Sequence, residues 1–244
     1  MPVFNFVSDL INNSDPIIII PFGGYANENK MVTCARVLED EKINHHEDDS
    51  KMKNLWNSFK RFESDEIEGA QVKVSWGNKS IILVTDDEGY IFLETSHGID
   101  FSDANQSSFP LTFELLEKDK SVYSTTIEII KPRSDASFGV ISDVDDTIIE
   151  TGVASTLKWR VFINVLLKHS DKRLPLDGSE ELYQKLHLGE SGNQANPFFY
   201  LSNSPWNIFE YLTSFLKKFN FPPGPLLLRD IDRNFLKKSG FESG

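Results

Sequence analysis

The repeat of apolar residues along the chain changes near its middle. Up to about residue 130, short segments alternate between apolar and polar residues, and clusters of Gly, Asn and Asp separate them. Beyond that point, brief continuous apolar runs alternate with segments that repeat apolar residues at helical spacing. The first pattern is typical of antiparallel strands with one buried face, and the second of a parallel sheet covered by helices. The sequence therefore predicts two domains, 1–134 and 135–244, which meet in "KPRSDASF" (131–138).

The first domain is predicted to be an antiparallel β-sandwich. Its candidate strands are 16–22, 31–39, 70–76, 80–85, 91–95, 109–117 and 121–130. Most of them follow one another across short turns without a crossover helix, which indicates antiparallel pairing. The segment 49–62 departs from this pattern because Met52, Leu55, Trp56 and Phe59 repeat at helical spacing, so we expect a short helical insertion there.

The second domain is predicted to be α/β, with a parallel sheet. Its candidate strands are 138–142, 197–202 and 224–230, and its candidate helices are 154–169, 178–188 and 204–220. Ser204 is a candidate N-cap for the last helix. In open parallel sheets, ligands bind beyond the carboxyl ends of the strands. Asp143 follows the first strand and Ser202 ends the second, so both are candidate site residues.

Composition restricts the partners and the compartment. The formal net charge of -12 argues against nucleic acid as a general partner. Cys34 is the only cysteine, so the chain has no internal disulfide. No apolar stretch approaches the roughly 18–20 residues of a membrane span, and the first residues lack the basic and apolar regions of a secretory signal. These features together predict a cytoplasmic protein.

The acidic stretch "DVDDT" (143–147) directly follows the apolar run "FGVIS" (138–142). In extended backbone, Asp143 and Asp145 project to the same side, where two carboxylates favour a hard cation such as Mg²⁺. An Asp in this place is also a candidate nucleophile toward phosphorus. The alternatives are a turn of solvated or capping acids and a calcium loop. A calcium-binding EF-hand loop would need Gly and Glu where this chain has Ile148 and Ala154, so its spacing does not fit. For Asp146 we expect a supporting or helix-capping role.

These residues resemble a known family. "DVDDT" after an apolar strand is similar to the first motif of the haloacid dehalogenase-like phosphohydrolases, Asp-x-Asp-x-Thr. "YLSNSPWNIFEYLTSFLKKFNFPPGPLLLRD" (200–230) resembles the Ser-x-Ser-Pro-Trp segment of the actin patch protein type of Mg²⁺-dependent phosphatidate phosphatase. "PFGGYANENKMVTCARVLED" (21–40) and "RFESDEIEGAQVKVSWGNKSIILVTDDEGYIF" (61–92) are similar to the β-domain that precedes the catalytic domain there. The resemblance implies a haloacid dehalogenase-like Rossmannoid fold for the second domain.

The resemblance also implies roles for individual residues. Asp143 would attack phosphorus and ligate Mg²⁺ through its carboxylate. Asp145 would protonate the leaving alkoxide and then activate water, with its main-chain carbonyl on the metal. Ser202 would hydrogen-bond the transferring phosphoryl group, with Asn203 as a neighbouring donor and Thr147 supporting the loop. Donors and positive charge around the equatorial oxygens are what phosphoryl transfer requires.

The last residues of the chain differ from the family pattern. The family also has a third-motif Lys and fourth-motif acids beyond the third strand, and this chain ends at "DIDRNFLKKSGFESG" (230–244), where that region would begin. Neither the lysines Lys237 and Lys238 nor the acids Asp230 and Asp232 fill those places clearly. We therefore expect the N-terminal part of a longer product, or a degenerate copy, with little phosphatase activity of its own.

The preferred function is Mg²⁺-dependent hydrolysis of phosphatidate to diacylglycerol and phosphate. One alternative is a phosphatase of a soluble phosphomonoester. Another is a catalytically incomplete remnant whose β-domain binds a protein partner. A basic stretch after the first motif would suit peripheral contact with an anionic membrane. Its basic residues surround an apolar stripe that includes Trp159 and Phe162, and they are Lys158, Arg160, Lys168, Lys172 and Arg173. The alternative for this stretch is a helix whose apolar face packs into the core.

Overall fold

The computed structural model describes residues 16–39, 66–100, 106–144, 178–204 and 206–228. The chain divides into two compact units, and among these residues the first unit ends at Ser134 and the second begins at Asp135. The predicted helices at 49–62 and 154–169 lie outside the described residues. Among the described residues, no helix is long and apolar enough to cross a membrane.

The first unit contains a strand at each of the seven predicted places. They are β1 (Ile17–Ala26), β2 (Lys30–Glu39), β3 (Gln71–Trp76), β4 (Lys79–Val84), β5 (Tyr90–Ser96), β6 (Ser108–Glu117) and β7 (Lys120–Ile130). They form one sheet in the order β4-β3-β6-β7-β1-β2-β5. All neighbours run antiparallel except β1 and β7, which pair in parallel at Tyr25 and Ile130. The prediction of a mostly antiparallel, strand-rich domain is therefore confirmed.

The strands belong to a single seven-stranded sheet, whereas a sandwich would have two sheets. One core receives alternate residues from nearly all of its strands, among them Val72 and Val74 of β3 and Leu111, Phe113 and Leu115 of β6. The sheet therefore curls around this core with one face. Period-two alternation identifies the buried face of each strand, but it does not determine which strands pair, so it cannot distinguish one curled sheet from two stacked sheets.

Strand β1 is longer than predicted because it continues through "GGYA" (23–26). Its pairing with β2 shifts register between Pro21 and Gly24. A Cβ atom on Gly24 would lie only 2.6 Å from the Val32 carbonyl oxygen and 2.5 Å from Cδ1 of Ile129, so this place requires glycine. The turn itself is confined to residues after Ala26, where Asn27 Oδ1 accepts the Lys30 N–H at 2.8 Å.

The second unit alternates strands and helices. It contains β8 (Val140–Asp143), α1 (Ser179–Leu188), β9 (Phe198–Ser202), a 3-10 turn (Trp206–Ile208), α2 (Phe209–Lys218) and β10 (Leu226–Leu228). The strands form a parallel sheet in the order β10-β9-β8. This confirms the coarse prediction of a parallel sheet with helices.

The two faces of this parallel sheet differ in burial. Phe198, Tyr200 and Leu228 are fully buried on one face, whereas Ile141 is 73% exposed and Leu201 37% exposed on the other. A continuous apolar run such as that of β8 is typical of a parallel strand buried on both faces, but the exposed Ile141 departs from this pattern. A run of apolar residues does not indicate how much of each face the neighbouring elements cover.

Helix α2 begins later than predicted. The 3-10 turn at Trp206–Ile208 precedes it, and the Ser204 hydroxyl, fully buried, has no hydrogen-bond partner in the described part of the chain. The prediction of a Ser204 cap is therefore wrong. At its other end the helix stops at Asn220, whose φ is 57°, and the Phe221 N–H reaches back to the Leu216 carbonyl at 2.9 Å. This is the arrangement by which a left-handed residue terminates a helix.

Candidate active site

Asp143 is the last residue of β8, and its side chain is exposed. It lies opposite Leu201 in the parallel pairing with β9. The pairing continues one residue further, because the Val144 N–H donates to the Leu201 carbonyl at 2.8 Å. The first candidate carboxylate is thus fixed at the carboxyl edge of the sheet, where ligands of parallel sheets bind.

Ser202 ends β9, one residue beyond the partner of Asp143. Its hydroxyl oxygen accepts the Ser204 N–H at 3.1 Å, and the side chain is buried. Asn203 follows and is exposed. The structure therefore brings Asp143, Ser202 and Asn203 to the same edge of adjacent strands. By strand alternation, Ser202 projects from the buried face and Asp143 from the exposed face.

The remaining predicted site residues lie outside the described residues. These are Asp145, Asp146, Thr147, Asp230, Asp232, Lys237, Lys238 and the basic residues between 158 and 173. Among the residues that the structure does describe, no three His, Cys, Asp or Glu side chains gather as a metal site. Asp143 contributes one exposed carboxylate, a donor of the type that Mg²⁺ prefers.

Two hydroxyl groups behind Asp143 were not predicted from the sequence. The Ser142 hydroxyl lies 2.6 Å from the Tyr183 hydroxyl of α1, and it donates to the Asp143 carbonyl at 3.1 Å. Both side chains are buried. Ser142 would be noticed as a polar residue inside an apolar run, but no sequence signal pairs it with a tyrosine 41 positions away.

Asn196, also missed, connects the beginning of β8 to the end of α1. It is fully buried. Its Oδ1 accepts the Ser137 N–H at 2.9 Å, and its Nδ2 donates to the Leu186 carbonyl at the same distance. The His187 ring Nδ1 donates to the Asn196 carbonyl at 2.8 Å, which defines where that imidazole carries a proton. The strand that carries Asp143 is thus attached to α1 before it begins and where it ends.

Tyr200 lies beside Ser142 in the sheet, and its hydroxyl donates to the Pro222 carbonyl at 2.8 Å. Burial raises the pKa of this phenol, and the nearby Tyr183 raises it further. Tyr200 is therefore a neutral hydrogen-bond donor at physiological pH, with no role in acid–base chemistry.

Comparison with known proteins finds a family match in the part of the chain that carries Asp143 and Ser202. A family model described as "Phosphatidate phosphatase APP1, catalytic domain" matches residues 138–243. Phosphatidate phosphatase APP1 of Saccharomyces cerevisiae is 39% identical over 97 residues, which are 40% of this chain and 15% of the yeast protein. The chain therefore aligns with only a small part of that relative.

A solved structure, of a glycosyl hydrolase family 2 member from Bacteroides cellulosilyticus, aligns with 92% of this chain and 37% of its own length. The sequence identity is 9% and the TM-score 0.27. A similarity this weak supports no conclusion about fold or activity.

Proposed function

We propose that the chain is part of a phosphatase that converts phosphatidate to diacylglycerol and phosphate, because residues 138–243 match the family model of the phosphatidate phosphatase APP1 catalytic domain. The observation that carries the proposal is that Asp143 and Ser202 end adjacent parallel strands, β8 and β9, at the same carboxyl edge of the sheet. Both residues lie within the matched segment. The proposed fold of this segment is haloacid dehalogenase-like.

The first step of the proposed reaction transfers the phosphoryl group to the enzyme. A carboxylate oxygen of Asp143 forms a bond to phosphorus, while the bond from phosphorus to the diacylglycerol oxygen breaks. Asp145 gives its proton to that leaving alkoxide. Asp143 suits this role because it is exposed at the strand edge, where an in-line substrate has access.

The second step regenerates Asp143. Asp145 takes a proton from water as the water oxygen attacks phosphorus, and the bond between phosphorus and Asp143 breaks to release phosphate. Ser202 and Asn203 donate hydrogen bonds to the phosphoryl oxygens, and Thr147 supports the loop. The Ser204 N–H, 3.1 Å from Ser202 Oγ, helps to orient the Ser202 hydroxyl.

The proposed cofactor is Mg²⁺, held by the Asp143 carboxylate and the Asp145 main-chain carbonyl. When bound, it would neutralise negative charge on the phosphoryl oxygens. The exposed carboxylate of Asp143 fits such an ion in donor type.

A first test measures phosphate release from phosphatidate vesicles by the 244-residue chain and by the longest product of its gene. Asp143→Asn should lower release by a factor on the order of 10³ or more, because it removes the nucleophile. Asp135→Asn makes the same charge change at an exposed residue outside the site and should leave release unchanged. Equal release by wild type and Asp143→Asn would contradict the proposal.

The same assay distinguishes the alternatives. Faster release from soluble phosphomonoesters than from vesicles would favour a soluble substrate. No release from either by any product would favour a non-catalytic binding module.

We further propose a cytoplasmic location with peripheral contact to anionic membranes, because the proposed substrate is itself an anionic lipid. Flotation with vesicles that contain phosphatidate should recover the chain at low salt and less of it at high salt. Equal recovery with neutral vesicles would contradict the electrostatic contact.

A further inference from the structure

The peptide group that joins Asp143 to Val144 is held from two sides. Its carbonyl accepts the Ser142 hydroxyl at 3.1 Å, and its N–H donates to the Leu201 carbonyl at 2.8 Å. The second contact belongs to the parallel sheet. The first is a side-chain contact that ordinary sheet pairing does not supply. Rotation of this peptide would change the direction in which the Asp143 side chain leaves the strand.

The direction of each hydrogen bond follows from the number of protons. A hydroxyl carries one hydrogen, and the Ser142 hydrogen is directed to the Asp143 carbonyl. Both contacts are hydrogen bonds at the same time only when the Tyr183 hydroxyl is the donor in its 2.6 Å contact with Ser142 Oγ. The result is an ordered chain of two hydrogen bonds, from Tyr183 through Ser142 to the backbone of Asp143.

Tyr183 is well placed to fix the position of that chain. Its side chain is buried, and its ring centre lies 5.5 Å from that of Phe198 and 5.3 Å from that of Phe221, which it meets edge-on. Such ring pairs restrict the tyrosine to one orientation. The end of α1, the helix that carries it, is attached to the segment before β8 through Asn196.

We propose that Tyr183 is a positioning residue that acts through Ser142 to fix the Asp143–Val144 peptide group. Its consequence for catalysis rests on the proposed function, in which the Asp143 carboxylate must lie in line with the phosphorus–oxygen bond. Small displacements of a reacting group are costly, since a shift of about 1 Å can lower the rate by a factor of roughly 10².

The test uses Tyr183→Phe, which removes only the hydroxyl, and Tyr200→Phe as a matched control. Tyr200 is also a buried tyrosine of the second unit that donates to a carbonyl, but its acceptor is Pro222. For phosphate release, Tyr183→Phe should lower kcat about 10-fold and leave KM within about twofold. Tyr200→Phe should change neither parameter by more than about twofold.

A second measurement does not depend on activity. The Val144 amide should exchange its hydrogen roughly 10-fold faster in Tyr183→Phe, because the Ser142 hydroxyl that contacts its peptide group is no longer fixed by Tyr183. The Tyr200 amide, bonded to the Pro225 carbonyl at 2.9 Å, should exchange as in wild type. Unchanged Val144 exchange in Tyr183→Phe would overturn the inference even if the proposed function is correct. Faster Val144 exchange, together with no phosphatase activity in the longest product of the gene, would retain the positioning contact and reject the proposed function.

A double-mutant cycle tests whether Tyr183 acts through Ser142. If it does, Tyr183→Phe combined with Ser142→Ala should match Ser142→Ala alone, within about twofold in kcat and in Val144 exchange. Losses that multiply would show that the two hydroxyls act independently, and would overturn the relay.

Discussion

The two units use buried polar groups in different ways. In the first unit, buried polar side chains such as Thr33, Arg36 and Thr85 donate to the backbone of several neighbouring strands and loops, and the core between the strands is apolar. Thr85, for example, donates to the Ile67 carbonyl at 2.6 Å and accepts the Ala70 N–H at 2.8 Å. In the second unit, Asn196 and the Tyr183–Ser142 pair attach one short strand to one helix.

This difference indicates what each unit requires of its residues. The first unit has a large apolar core and is stabilised mainly by burial of apolar surface. The second carries Asp143 on a strand of four residues, too short for ladder hydrogen bonds alone to fix it well. Substitutions in the first unit should therefore lower its stability. Substitutions of buried polar residues in the second unit should instead change the position of Asp143.

The largest expected effect concerns the apolar core of the first unit. Leu111→Ala should lower its free energy of unfolding by about 3 kcal/mol, because Leu111 is fully buried at the centre of the sheet. Ile82→Ala removes as many carbon atoms from a side chain that is 54% exposed, and should cost less than about 0.5 kcal/mol. The measurement is amide exchange of β3 and β6 in the full chain. Equal costs for the two variants would show that the core in this place is not tightly packed.

The next effect concerns Asn196, the buried side chain that attaches β8 to α1 in the second unit. Asn196→Ala should lower the free energy of unfolding of the second unit by about 2 kcal/mol, because the part-buried Ser137 N–H and Leu186 carbonyl each lose their hydrogen bond to the fully buried Asn196 side chain. Asn193→Ala changes an exposed residue of the same loop and should lower the free energy of unfolding by less than about 0.5 kcal/mol. Amide exchange of β8 and β9 reports the loss, and β3 and β6 should exchange as in wild type. A cost for Asn196→Ala no greater than that of the control would remove the proposed difference between the units.

The secondary structure of both units was largely predictable, because apolar periodicity reflects which face of each element is buried. Every strand predicted within the described residues is present. The pairing of β1 with β7 was not predictable, since it joins residues far apart in sequence and leaves no local signal. The extension of β1 through Gly24 was missed because glycine marks both turns and places where backbones approach closely.

The candidate site was predictable in part, for a related reason. Asp143 and Ser202 end neighbouring strands as predicted, because the carboxyl ends of parallel strands meet at one edge. The contact between Tyr183 and Ser142 depends on how α1 packs against the sheet, which side-chain periodicity does not specify. Ser204 was misassigned as a helix cap because the 3-10 turn at the start of α2 shifts the first helical N–H groups along the chain.

The smallest effect tests whether a buried tyrosine that does not touch Asp143 acts on stability alone. The raised pKa of Tyr200 means that the folded state keeps the phenolic proton above pH 10, where the unfolded chain releases it. The stability that this difference contributes is fully present below pH 10 and is lost as the pH rises beyond it. Wild type should therefore lose about 1 kcal/mol more than Tyr200→Phe between pH 8 and pH 11.

Urea unfolding of both proteins at the two pH values measures this difference, and comparison with Tyr200→Phe removes the contributions of the other tyrosines. A loss that is the same in both proteins would mean that the Tyr200 phenol ionises as easily in the folded state as in the unfolded chain. Its 2.8 Å hydrogen bond to Pro222 would then open readily. In that case Tyr200 would behave like an exposed tyrosine. The different effects of Tyr183→Phe and Tyr200→Phe would then follow from how deeply each ring is buried, and not from which group each hydroxyl contacts.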